Sequence, residues 1–215
     1  MRTIVPFAVE TPKTRLAPVL SPTERESFAT AMLCDVLAAL EAAGHTPTVV
    51  STAPIADERV TSRAAIVIDD RDLTTAVNAQ LAEDGHTLVV MADLPLATAG
   101  DIQRLVDSEA DITIAPGLGG GTNALVVREP AFRVDYHGAS YLDHREIARD
   151  VGASLETVDS FRLATDIDEP TDLVEVLVHG LETNRAPARL RAFGFELDDR
   201  DGRVDIVRDE SVTTK

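Results

Sequence analysis

"TLVVMADLPLATAGDIQRLVDSEADITIAP", residues 87–116, decides how this chain folds. It opens with a continuous apolar run and breaks at Ala92-Asp93-Leu94-Pro95. It then resumes as an amphipathic helical pattern over 98–108 and closes on a second apolar run at 111–116. Strands that are apolar on both faces and alternate with helices build a mostly parallel sheet covered on each side.

The same alternation extends in both directions. "TIVPFAV" (3–9) reads as a buried strand, and Ser21 to Ala43 as a long helix. Ser21 caps that helix, Pro22 suits its first turn, Glu24 completes a capping box, and Gly44 ends it. Residues 46–51, 64–69, 123–128 and 154–158 read as further strands, and 73–84, 140–152 and 170–180 as helices. In the tail, Phe193, Phe195 and Leu197 alternate against Val204 and Ile206 around an Asp-Asp-Arg-Asp-Gly turn. That pattern predicts a C-terminal β-hairpin, covering a sheet edge or a partner subunit.

Composition excludes several classes. Among 215 residues, 37 acids face 20 bases, for a formal charge of −17. Such a field repels nucleic acid and anionic membranes. The acids are spread along the chain rather than blocked into a tail, and two of the 20 bases are Lys, against 18 Arg. This is the surface expected of a protein kept soluble in a salt-rich cytoplasm. Cys34 stands alone inside a helical apolar pattern, as a core residue rather than a disulfide or metal ligand. No leader peptide and no membrane span is expected from the apolar runs. The five His lack paired ligand spacing and read as surface or loop residues.

Ligands of open α/β sheets bind beyond the carboxyl ends of the strands. Four polar stretches follow strands here: the loop with Lys13 and Arg15, Asp93 in "ADLP", "GLGGGTN" (117–123), and "TDIDEP" with Asp166 and Asp168. Lys13 is the single internal lysine, and a compact ammonium beside a guanidinium suits a polyphosphate. Asp93 fits either a turn or a metal site. In an extended chain Asp166 and Asp168 share a face and fit one ion; capping of the following helix by Asp168 or Glu169 is the alternative. Hard oxygens without His or Cys suit Mg²⁺. The glycines fit an anion cradle or a flexible turn. No nucleophile elbow and no Cys/His pair is present, so side-chain nucleophilic catalysis is not expected.

In this order the motifs resemble the 2-phospho-L-lactate guanylyltransferase family (CofC). The matching stretches are Val5-Pro6 with "KTRL" (13–16), "LSPTERESFATAMLCDVLAAL" (20–40), "ADLPL" (92–96), "APGLGGGTNAL" (115–125), "YHGASYLDH" (136–144) and "DIDEPTDL" (166–173). The resemblance implies a Rossmann-like, GT-A-type nucleotidyltransferase domain over 1–185, with 186–215 as an acidic hairpin extension. It implies transfer of GMP from GTP to 2-phospho-L-lactate, releasing pyrophosphate, in biosynthesis of the deazaflavin coenzyme F-420. Phosphoenolpyruvate or 3-phosphoglycerate as acceptor, or a non-catalytic nucleotide-binding module, remain alternatives.

Carried over by position, Asp93, Asp166 and Asp168 resemble Mg²⁺ ligands, with Asp93, Lys13 and Arg15 catalytic. Pro6, Lys13, Arg15 and Leu73 fall where the nucleotide is held. Gly119, Gly120, Gly121, Thr122, Asn123 and Ser140 resemble the acceptor site. A cytoplasmic homodimer that passes its product to the next transferase is the expectation for partners. The charge balance carries its own prediction: raising KCl from 0.1 to 2 M, which shrinks the Debye length from ~10 Å to below ~3 Å, raises the melting temperature. A melting temperature that is flat or falling across that range contradicts the reading of the surface.

Overall fold

Residues 87–116 fold as read, into strand, helix and strand. The computed structural model describes residues 1–10, 12–81, 86–199, 202 and 204–209. In chain order the elements are β1 (Arg2–Phe7), α1 (Pro22–Ala42), β2 (Pro47–Ser51), α2 (Glu58–Thr61), β3 (Ala65–Ile68), α3 (Leu73–Asn78), β4 (Thr87–Val90), α4 (Ala99–Val106) and β5 (Ile112–Pro116). They continue as β6 (Thr122–Val127), α5 (Ser140–Asp150), β7 (Leu155–Thr157), α6 (Phe161–Ala164), α7 (Leu173–His179), α8 (Arg185–Ala192), β8 (Phe195–Asp198) and β9 (Asp205–Arg208).

One sheet has the order β3-β2-β1-β4-β6-β5-β7, and β8 pairs with β9 separately. In the large sheet β6 runs antiparallel to both β4 and β5 and the other pairs are parallel, whereas β8 and β9 are antiparallel. β4 and β5 therefore point the same way, and the loops after β1, β4 and β5 open on one rim. Among the described residues no helix is long and apolar enough to cross a membrane.

Three apolar clusters stack across the sheet. One face buries Leu33, Val36, Leu37 and Leu40 of α1 with Leu88 and Val90 of β4. The other buries Val77 of α3, Phe132 and Ala148 of α5 against Ile4, Val89 and Ile114. The third lies outside α1, where Phe28 and Met32 meet Leu16, Leu173, Leu190 and Phe195. Helix α1 is thus sandwiched, and so is apolar almost all round. Its capping box forms as read, with Ser21 and Glu24 exchanging side-chain and backbone bonds.

Several expectations change. α3 ends at Asn78, and residues 82–84 of the longer helix read there lie outside the described residues. Helices α2, α6 and α8 escaped the pattern because each is short. Phe193 ends α8 instead of entering the hairpin, and Val204 precedes β9; the ladder pairs Phe195 with Arg208 and Leu197 with Ile206. Residues 200 and 201 of the expected turn lie outside the described residues. Among the described residues the hairpin pairs with no strand of the large sheet; its Phe195 and Ile206 pack in the third cluster. The start of α8 is capped from afar, because Asp35 in mid-α1 accepts from the Arg185 and Ala186 amides at 2.7 and 2.8 Å.

Not every His is on the surface. His144 of α5 is fully buried. The Asp135 amide donates to its Nε2 (2.9 Å), so Nδ1 carries the proton and donates to Thr122 Oγ1 (2.8 Å). Burial pushes the imidazole pKa down to about 4. The unfolded chain therefore binds a proton that the fold refuses, and stability falls as pH drops from about 6.5 towards 4. The full difference amounts to about 3 kcal/mol. Asp35, which burial raises to about 6, acts with the opposite sign, losing stability as pH rises from about 4 to 6. In His144→Gln the Asp35 effect is shared with the parent and cancels. The prediction is a shallower acid-side decline in melting temperature for the variant; parallel profiles overturn it.

Candidate active site

The loop after β1 begins the site. Lys13 adopts a left-handed backbone (φ 53, ψ 48) and is the one non-glycine with positive φ among the described residues. That conformation costs roughly 1–2 kcal/mol, so surrounding contacts must impose it. A 3-10 turn, Thr14–Leu16, follows, and Leu16 is fully buried in the third cluster. Arg25 of α1, itself buried, donates to the Pro12 and Leu20 carbonyls at 3.3 and 3.1 Å. Both ends of the loop are therefore pinned to one guanidinium.

So held, Lys13 aims inward with a side chain only 12% exposed. Its Nζ donates to Asp93 Oδ2 at 2.5 Å and to Asp168 Oδ1 at 2.7 Å. Burial lowers the ammonium pKa, but the pull of Asp93 and Asp168 exceeds it and leaves the pKa raised. Arg15, largely exposed, sits 3.4 Å from both Asp168 and Glu169.

The carboxylates come from the ends of two elements. Asp93 follows β4, and its carbonyl accepts from the Ile167 amide (3.1 Å), stitching the two segments together. Ile167 is buried in the third cluster, which turns its neighbours Asp166 and Asp168 to the opposite face. Asp166 accepts from Asn123 Nδ2 at 3.0 Å. Burial raises its pKa, the Asn123 bond opposes this, and the charges of Asp93 and Asp168 push it further up. Capping at this point is a box between Glu169, at the N-cap as expected, and Asp172, whose carboxylate takes the Asp168 and Glu169 amides. Asp168 is thereby left free for cations.

Lys13, Arg15, Asp93 and Asp168 line a cavity of about 410 Å³ whose walls also include Pro6 and Leu73, whereas Asp166 lies outside its wall. Phe7, Ala8, Met32, Val50 and Ala76 supply an apolar side. Arg71 and Asp69 also line it, joined by a two-pronged ion pair at 2.8 and 2.5 Å. The sequence reading passed over this pair, although "DDRDL" follows a strand just as the other rim loops do.

The glycine segment lies beside this cavity rather than in its wall. Residues 117–121 form the turn between β5 and β6, closed by the Gly117 amide on the Gly121 carbonyl (2.9 Å). Gly120 has φ +83, and a Cβ on Gly117 would lie 2.6 Å from the Asn123 side chain. Gly119 has open space around it, and Gly121 leads into β6. Thr122 and Ser140 are buried and bound to each other, the Thr122 amide donating to Ser140 Oγ at 3.0 Å. Asn123 links this turn to Asp166 and to the Leu163 carbonyl.

Among the described residues no group of three or more His, Cys, Asp or Glu is assembled to hold a metal by itself. The donors nonetheless suit Mg²⁺. Asp93 Oδ1 is buried without any hydrogen-bond partner, next to an ammonium that fills the space between two carboxylates. Mg²⁺ is commonly held by one or two carboxylates with substrate phosphates completing its shell, so a preformed cage is not required.

The sequence profile described as "Guanylyl transferase CofC like" matches residues 1–208, hairpin included. A protein of Haloterrigena turkmenica named 2-phospho-L-lactate guanylyltransferase is 60% identical, with both chains fully covered. One of the same name from Natrialba magadii is 55% identical over 98% of this chain and all of its own. Among solved structures, a putative nucleotide-diphospho-sugar transferase from Desulfovibrio desulfuricans G20 superposes with a TM-score of 0.72 at 16% identity, covering 89% of this chain and 95% of its own. That likeness shows the fold alone. The chain belongs to the CofC-like guanylyl transferase family.

Proposed function

We propose that this chain transfers GMP from GTP to 2-phospho-L-lactate, giving lactyl-2-diphospho-5′-guanosine and pyrophosphate, a step in making coenzyme F-420. The observation that carries the reading is Lys13 clasped by Asp93 and Asp168 at the mouth of the cavity, in a chain whose full-length relatives bear that enzyme's name.

Both reactants are anions. The acceptor's phosphate, with a second pKa near ~6, is mostly dianionic at neutral pH and attacks the α-phosphorus of GTP without a general base. The protein's task is positioning and charge neutralisation. Asp93 and Asp168, with Asp166 alongside, would hold Mg²⁺, which supplies Lewis-acid stabilisation of the phosphoryl oxygens. Lys13 and Arg15, both now paired with carboxylates, exchange those partners for triphosphate oxygens and stabilise the leaving pyrophosphate. Pro6 and Leu73, which also line the cavity, would border the nucleoside. The Gly119–Gly121 turn with Thr122, Asn123 and Ser140 would orient the acceptor. Support for that role is the network that stiffens them, from His144 through Thr122 to Ser140, and from Asn123 to Asp166.

Pyrophosphate release in molar KCl with Mg²⁺, crossing GTP, ATP and CTP with phospholactate, phosphoenolpyruvate and 3-phosphoglycerate, tests the reading. GTP with phospholactate should be the fastest pair. Asp93→Asn and Asp168→Asn, still folded, should each lose about 10²–10³-fold in kcat. Absence of pyrophosphate from every pair, or full activity in either variant, contradicts it.

A further inference from the structure

The C-terminal hairpin reaches the loop that carries Lys13. Residues 13–20 form a small hydrogen-bonded block: Leu16 donates to the Lys13 carbonyl, Ala17 to Thr14, and Val19 and Leu20 to Leu16. Arg25 grips this block through the Pro12 and Leu20 carbonyls. One carbonyl near its end, that of Val19, is taken from β9. Arg208 Nη1 donates to Val19 O at 2.8 Å, while Nη2 pairs with Glu24 Oε1. Nε donates to the Phe193 carbonyl at 3.0 Å, and the guanidinium lies 5.0 Å from the Phe195 ring centroid. Every face of this side chain is thus engaged, and it is mostly buried.

Glu24 has a second duty. Its other oxygen, Oε2, accepts from the Ser21 amide in the capping box that starts α1. One carboxylate therefore joins the hairpin to the first turn of the helix directly after the Lys13 block. Apolar packing runs the same way, since Leu16 and Leu20 share a cluster with Phe195 and Ile206. A tail needed only for bulk would cover this cluster with apolar side chains; a guanidinium aimed at a single loop carbonyl fixes a position.

We infer that Arg208 is a positioning residue: through Val19 and Glu24 it holds the block that keeps Lys13 in its left-handed conformation, and so sets the grip on the nucleotide's phosphates. The kinetic part of this inference rests on the reading proposed above. The structural part does not.

Two measurements on the full chain separate them. Amide hydrogen exchange without substrate should show faster exchange at Leu16, Ala17, Val19 and Leu20 in Arg208→Ala, with β4 amides unchanged. In kinetics, Arg208→Ala should raise KM for GTP about tenfold while KM for the acceptor stays within twofold. Arg208→Lys, which keeps a cation for Glu24 or the Val19 carbonyl, should recover part of the loss. Glu24→Gln, which keeps an acceptor for the Ser21 amide, should show the same selective rise to a smaller extent.

Should Arg208→Ala not fold, Arg208→Lys and Glu24→Gln carry the exchange test alone. Unchanged exchange across residues 16–20 overturns the inference whatever the enzyme's activity. So does an equal rise of both KM values that tracks a loss of folded protein. A wild-type chain that releases no pyrophosphate would sink the functional reading and leave the exchange result to stand or fall by itself.

Discussion

An ammonium shared between two carboxylates organises this molecule. Lys13 Nζ contacts Asp93 and Asp168, residues 80 and 155 positions away, in the wall of the cavity. Buried ion pairs cost desolvation energy that their own attraction rarely exceeds by much, so this arrangement is weak evidence of a stabilising device. Much of the surrounding structure is occupied in maintaining it. Lys13 holds a backbone conformation that few side chains accept, Arg25 and Arg208 hold the carbonyls of its loop, and the Asp93 carbonyl fixes the segment bearing Asp168. Strain and buried charge kept in place by so many contacts mark a functional site.

The arrangement also reconciles an acidic protein with anionic substrates. With −17 overall, the surface repels nucleotides, and attraction must be local. Yet each cation lining the cavity, Lys13, Arg15 and Arg71, already faces a carboxylate. A bare triphosphate would have to compete with those acids for them. On the proposed reading, a triphosphate arriving with a divalent ion would offer an exchange instead: the carboxylates would hold the ion and the side chains would take phosphate oxygens. On this account the resting pairs hold the site in register until both components arrive.

Much of this was legible in the sequence because apolar strands and capped helices have local signatures. The run at 87–116 announced its strand, turn and helix, and Ser21, Pro22 and Glu24 announced α1. The rim rule brought Lys13, Asp93 and Asp168 to one mouth from three distant loops. What stayed hidden depends on long-range contacts. Nothing near Asp35 says that it caps a helix 150 residues later, nor does anything around His144 say that its ring is buried between Thr122 and Asp135. Arg208 reads as one more charge in a charged tail until its carbonyl partner is seen. Phe193 fits the hairpin alternation but caps a helix, because α8 is only eight residues long and buries just Ala186, Pro187 and Leu190.

The central claim is that Lys13 gives up its two carboxylates when substrate binds. A crystal structure with Mg²⁺ and a non-hydrolysable GTP analogue tests it most directly. The account predicts an ion bound to both Asp93 and Asp168, with the Lys13 ammonium moved onto phosphate oxygens. Finding Lys13 still seated between the two aspartates, with the nucleotide's phosphates and its ion held elsewhere, would contradict it.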